Sequence, residues 1–322
     1  MSVPTPVTED AGIPTTTPTP IVSYLPVTLN VPGRHVDLQV KVTMPATGDD
    51  LPILLFSHGH GPSTFVSSFN GYGPLTNFWA ARGFVVVQPT HQDSLALGLR
   101  GLDDPDAPLY SVSRADDMVF ILDHLDDIEA AVPGLAGRTD RTRIAAVGHS
   151  LGGHTVSMLR GAEMEHPATQ EVVSFNDDRI AVGVDIAGPG DGRELAEFAD
   201  TNYPALRSLR FDAMTAAMMV VVGENDQNPM FSDNARWREQ PYDLGPSPKT
   251  RLYVYGAEHG FGGISMWDGA ETTDENPERV AAVRSLIWAF LRSSLYPGDP
   301  AWDRARAALE SSTTPPAAVT SK

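Results

Sequence analysis

The chain has 322 residues, 41% of them hydrophobic and 20% charged, a length and balance that suit one large α/β core or two modest domains. Its formal net charge of −18, from 41 acidic against 23 basic side chains, argues against nucleic acid and against anionic membrane surfaces as partners. The absence of cysteine excludes disulfides, thiolate metal sites and a cysteine nucleophile.

Residues 1–20 alternate Thr and Pro and read as an extended, weakly ordered lead-in, because proline removes backbone donors and resists helix. They carry neither the basic start nor the apolar centre of a signal peptide. No stretch approaches the roughly 18 consecutive apolar residues of a membrane-spanning helix, so the expectation is a soluble, cytoplasmic protein with no membrane insertion. Ile21 to Leu29 and His35 to Met44 alternate in the manner of strands around Pro32-Gly33, which predicts a hairpin or meander at the antiparallel edge of a sheet.

Pro52 to Phe56 is a short apolar run that opens into Ser57-His58-Gly59-His60-Gly61, the pattern of a strand buried on both faces with its loop at the C-terminal end. A helical stripe around Leu75, Phe78, Trp79 and Ala80 stops at Arg82-Gly83, and Phe84 to Val87 forms the next strand. His91 to Tyr110 is a long loop rich in Asp, Gly and Pro, a candidate for function or disorder. Met118, Ile121, Leu122 and Leu125 then share one face of a helix predicted over residues 113–130. After it, Ile144 to Val147 runs into Gly148-His149-Ser150-Leu151-Gly152-Gly153, which reads as strand, sharp turn and helix.

Ile180 to Ile186, Met218 to Val222 and Leu252 to Tyr255 supply three more strands, and Val280 to Leu291 a long amphipathic helix. The alternation predicts a mostly parallel sheet with an antiparallel N-terminal edge and helices on both faces. The segment between Asp185 and Met218 is too short for a large lid, so a short cap helix is the most it allows. One α/β domain is therefore expected over 21–296. Residues 297–322 are read as a brief helix, Trp302 to Leu309, and a frayed tail.

The Gly-x-Ser-x-Gly turn presents Ser150 Oγ clear of the sheet and aims a helix N-terminus at the same spot. A serine hydroxyl is a poor nucleophile at neutral pH and needs a base with an orienting acid. His259, in Gly256-Ala257-Glu258-His259-Gly260 just past the last apolar strand, is the candidate base. A metal site built from several of His58, His60, His91, His149 and His154 has no helical spacing to support it, and His58 is better read as bracing its loop through a backbone hydrogen bond.

For the acid, Asp226 stands just beyond the strand Val220-Val221-Val222, where a carboxylate can meet the base from the side. Asp185 at the end of Val182-Gly183-Val184 is the alternative, since an aspartate in so apolar a run must be paired. Glu224 is a weaker third choice. The two oxyanion donors are expected to be the backbone N–H groups of Leu151, after the nucleophile, and of His60, after the turn at Gly59. Phe261, Met266, Trp267 and Met230 are candidate substrate-lining residues and equally candidates for the core.

With elbow, oxyanion loop, acid and base in the order Ser, Asp, His, the chain resembles the α/β-hydrolase superfamily from about Leu25 to Leu295. The short lid region, the His-Gly-His-Gly loop, the Gly-His-Ser-Leu-Gly-Gly elbow and the Gly-Ala-Glu-His-Gly base loop are similar to those of dienelactone-hydrolase, chlorophyllase-like and platelet-activating-factor-acetylhydrolase-like esterases. The resemblance implies the α/β-hydrolase fold with a minimal lid and a serine carboxylic-ester hydrolase acting on short to medium acyl esters through an acyl-enzyme, with no metal or organic cofactor and a small-molecule ester as partner. It carries over Ser150, Asp226 and His259 as the triad and His60 and Leu151 as oxyanion donors. True dienelactone hydrolases use a cysteine, absent here, so their lactone reaction is not implied. Chlorophyllases and the acetylhydrolases take their acid from the earlier strand, the place of Asp185. A haloperoxidase-like perhydrolase with the same triad, and a non-catalytic binding protein on a hydrolase scaffold, are the alternative functions. A peroxide-dependent bromination assay separates the first, and failure to react with a fluorophosphonate the second.

Overall fold

The computed structural model describes residues 6–8, 11–267 and 272–322. Nine strands form the main sheet: β1 (Ile21–Leu29), β2 (Leu38–Pro45), β3 (Leu51–Ser57), β4 (Val85–Pro89), β5 (Thr139–His149), β6 (Ile180–Ile186), β7 (Met218–Gly223), β8 (Lys249–Val254) and β9 (Ala317–Ser321). Their spatial order is β1-β2-β4-β3-β5-β6-β7-β8-β9. The run from β4 to β8 is parallel, while the hairpin β1–β2 joins β4 antiparallel, as its β-branched, alternating sequence predicts.

Side-chain parity sorts the core into two layers. Leu54, Phe56, Val86, Ala145 and Val147 point to one face, and Ile53, Leu55, Val85, Val87, Ile144 and Ala146 to the other, following the period-2 alternation of a strand. The first face is covered by α1 (Gly73–Ala80), through Leu75, Phe78 and Trp79, and by the two C-terminal helices over residues 277–295 and 301–311. The second is covered by α2 (Ser111–Asp123), α3 (Leu125–Ala131) and α4 (Leu151–Leu159), through Met118, Ile128 and Val156. Thus the helix after β3 and the helix after β5 leave the sheet on opposite faces. The crevice between them, at the C-terminal strand ends, is where open α/β sheets bind ligands.

The helix predicted over 113–130 breaks at His124. There the ring Nδ1 lies 2.9 Å from the Phe120 carbonyl, and the backbone turns out of helical geometry before α3 begins. The connection from β6 to β7 holds only a short helix, α5 (Glu197–Asn202), flanked by single 3₁₀ turns, so no large lid covers the strand ends. A second short helix, α6 (Gln240–Leu244), follows β7. The long helix α7 (Pro277–Leu295) begins where Asn276 Oδ1 accepts the Arg279 N–H at 3.0 Å, and Pro277 stands where no N–H is needed.

Both ends of the chain differ from expectation. The tail after residue 297 does not fray: α8 (Ala301–Ser311) packs on α7, and β9 pairs antiparallel with β8, Leu252 opposite Val319. Its Ala, Val and Thr satisfy the open edge that β8 would otherwise expose. In the lead-in, residues 14–16 pair with residues 6–8, and Ile13 and Thr15 are buried against the first layer, so this segment is extended but packed. The rest of the lead-in, residues 1–5, 9 and 10, lies outside the described residues. Among the described residues no helix is long and apolar enough to cross a membrane.

Candidate active site

Ser150 sits between β5 and α4 with φ 56° and ψ −121°, a region that L-residues avoid and that strains the turn. The turn closes this tightly only because a Cβ at Gly148 would run into the carbonyl of Gly152, and one at Gly152 into the carbonyl of Ser57 on β3. Ser150 N–H donates to the Ile186 carbonyl at 2.8 Å, which fixes the elbow to the end of β6.

His259 lies on the loop after β8 with Nε2 3.0 Å from Ser150 Oγ. Its Nδ1 is 2.9 Å from Asp226 Oδ2 and 3.1 Å from Oδ1. A carboxylate can only accept, so Nδ1 carries the proton and Nε2 is left to accept from the serine hydroxyl. Asp226 is almost fully buried, which by itself would raise its pKa, but Arg238 and His259 outweigh burial and hold the carboxyl well below the usual range. The aspartate is thus ionised beside a half-exposed imidazole.

Asp185 is placed elsewhere. It is fully buried beneath the elbow helix, where it accepts from Ser157 Oγ at 2.9 Å and from the Gly188 N–H at 2.7 Å, and burial raises its pKa to about 6. Gly153 passes so close that a Cβ there would strike the carboxylate. Its hydrogen bonds go to α4 and to its own loop, which answers why an aspartate ends so apolar a strand. Glu224 faces outward and accepts from the Gly256 N–H at 2.7 Å, bracing the loops after β7 and β8.

His149 and Tyr72 join the two sides of the site; His149 fills a variable position of the elbow motif, and Tyr72 belongs to no motif. Tyr72 Oη accepts the Gly59 N–H at 3.1 Å and lies 2.9 Å from His149 Nδ1, while His149 Nε2 lies 2.8 Å from the backbone carbonyl of His259. A carbonyl only accepts, so Nε2 bears the proton and Nδ1 accepts from the tyrosine. Burial, then the neighbouring His259, lowers the His149 pKa to about 3, so this imidazole is neutral.

A buried network backs the loop after β3. Arg114 donates to Asp93 and to the His58 carbonyl, and also to Ser57 Oγ at 3.1 Å and Thr155 Oγ1 at 3.0 Å, which staples β3, α2 and α4 together. His58 Nδ1 donates to the Gly59 carbonyl at 2.8 Å, the brace expected of it. His60 Nδ1 donates to Asp93 Oδ2 at 2.8 Å, and His91 lies between Ser57 Oγ and Asp117. Among the described residues no group of three or more His, Asp or Glu side chains is arranged to hold a metal ion.

Ser150 and His259 open on a cavity of about 540 Å³, a size suited to a small organic ligand. His60 and Leu151 line it beside the serine, and its apolar wall holds Val66, Leu109, Tyr203, Leu206, Phe231 and Trp237. Leu151 is the first residue of α4, so its N–H has no partner within the helix. Of the four candidate lining residues, none forms this wall. Phe261 is fully buried and meets His149 edge-on, Met266 is packed into the first layer, and Trp267 and Met230 are 67% and 50% exposed. The neighbour Phe231 faces the cavity in place of Met230, with its ring stacked on Tyr203. Arg100 and Leu109, from the long loop after β4, also reach the wall, so that loop is part of the site.

None of the curated proteins compared with the chain matches it. A family model described as "Alpha/beta hydrolase family" matches residues 54–319, from the middle of β3 into β9. This strand order, with the serine on the turn after β5 and the histidine after β8, and the matched length together lead to one statement: the chain belongs to the alpha/beta hydrolase family.

Proposed function

We propose that this hydrolase is a serine carboxylic-ester hydrolase in which Ser150 is the nucleophile, His259 the general base and Asp226 the orienting acid. The observation that carries the reading is the continuous line from Asp226 through His259 to Ser150 Oγ at hydrogen-bond distances, on the wall of an apolar cavity. In the acylation step His259 takes the hydroxyl proton as Ser150 Oγ attacks the ester carbonyl. The tetrahedral oxyanion is held by the N–H groups of Leu151 and His60, and collapse expels the alcohol, which takes the proton from His259. Water, deprotonated by the same imidazole, then attacks the acyl-enzyme and releases the acid.

A cavity of this volume without a large lid supports acyl groups of short to medium length. The placement of the acid after β7 rather than after β6 favours, among the short-lidded esterases, those resembling dienelactone hydrolases over the chlorophyllase and acetylhydrolase branches. The test is labelling by a fluorophosphonate together with turnover of p-nitrophenyl esters graded by acyl length. Ser150→Ala is expected to abolish labelling and lower kcat by about 10³-fold or more with an unchanged unfolding midpoint. Retention of a tenth of the activity would refute the nucleophile, and a preference for long acyl chains would refute the substrate range.

A further inference from the structure

Asp226 is the one buried residue in the exposed run from Glu224 to Met230; the Glu224 and Asn225 N–H groups tie the backbone of this loop to the Val254 and Ala257 carbonyls, which leaves the direction of the carboxylate to its side-chain partners. Among the described residues the carboxylate's hydrogen-bond partner besides His259 is Arg238, on the 3₁₀ turn Trp237–Glu239. Arg238 Nε donates to Asp226 Oδ1 at 3.0 Å, and Nη1 donates to the Ala187 carbonyl at 2.6 Å. The turn itself is anchored, since Trp237 Nε1 donates to the Asp191 carbonyl at 3.0 Å. Ala187 follows Ile186, whose carbonyl receives the Ser150 N–H at 2.8 Å.

These bonds close a circuit. It runs from Ser150 to the end of β6, through Arg238 to Asp226, and through His259 back to Ser150 Oγ. We propose that Arg238 is a positioning residue: by bonding Asp226 and Ala187 at once, its planar fork ties the acid to the same strand end that anchors the nucleophile. A guanidinium suits this work because two of its nitrogens donate in fixed relative directions. Without it the carboxylate would keep a single partner on an exposed loop, and His259 would lose its fixed angle to the serine. The inference rests on the triad reading above.

The experiment compares R238M and R238Q with the wild type, with kcat expressed per site titrated by the fluorophosphonate, alongside KM and the urea midpoint. Loss of alignment is expected to lower kcat by about 10²-fold while KM stays within about twofold. R238Q provides the reading if R238M does not fold. A kcat per titrated site within about threefold of wild type, whatever happens to the urea midpoint, would make Arg238 merely structural and overturn the proposal. So would a raised KM with unchanged kcat, which would make it a substrate contact. Either result leaves the triad standing so long as Ser150→Ala is inactive, and wild-type protein that neither labels nor turns over would sink the triad instead.

Discussion

His149 Nε2 lies 2.8 Å from the backbone carbonyl of His259, so the residue before the elbow serine holds the loop that carries the base. The His259 ring therefore reaches Ser150 from a backbone fixed by the elbow itself. Replacing His149 by Phe keeps a ring but removes both the bond to His259 and the acceptor that His149 offers the Tyr72 hydroxyl. H149F is expected to lower kcat by about 10²-fold and stability by about 1–3 kcal/mol, read from steady-state kinetics and urea unfolding. A folded variant with wild-type kcat would show that the base loop is held by other contacts.

The two aspartates should separate cleanly. Asp226→Asn keeps the shape but can no longer stabilise an imidazolium, so kcat should fall by about 10³-fold or more with KM little changed. Asp185→Asn keeps an oxygen for the Gly188 N–H but turns an NH₂ toward Ser157 Oγ, whose hydroxyl must then rotate to accept, and should cost about 1–3 kcal/mol of stability with kcat intact. Were the D185N protein stable and inactive, the acid would belong to β6.

His154 supplies a pH prediction. It is buried on α4 with no hydrogen-bond partner for either ring nitrogen among the described residues, and burial, followed by the nearby Arg114, lowers its pKa to about 3. The native state thus refuses a proton that the unfolded chain accepts at its ordinary value of 6.5, so the unfolded state binds more protons between those two values. Stability from this group is full above pH 6.5 and is lost as pH falls toward 3. Substituting leucine should flatten that loss: the urea midpoint of H154L should drop less than that of wild type between pH 7 and about pH 4.5. Equal drops would show that other groups carry the acid sensitivity.

Much of this site was legible in the order of residues because its parts are local. Gly148 and Gly152 are demanded by backbone approaching backbone within a few residues, so the elbow can be read without knowing the sheet. The apolar runs at β3 to β8 announce strands buried on both faces, and His259 in a glycine-rich loop after the last of them announces a mobile ring at a strand end. The choice of Asp226 over Asp185 was of another kind. Both end apolar strands, and what separates them is that Asp185 lies under α4 against Ser157, while Asp226 emerges beside His259.

Cavity walls and supports were decided by the tertiary structure alone. Phe231 rather than Met230 faces the cavity because the turn after β7 presents one side chain inward and leaves its neighbour exposed, while Phe261, on the loop after β8, is buried against His149. Tyr72, Arg114 and Arg238 act on residues 77, 56 and 51 positions away, and no spacing along the chain marks such partners. The C-terminal strand β9 carries no signal of its own for the same reason, since a short Ala-Ala-Val-Thr-Ser segment becomes a strand only when β8 offers an open edge. Short-range sterics write a turn into its own sequence, whereas pairing and burial depend on which distant groups the sheet brings alongside.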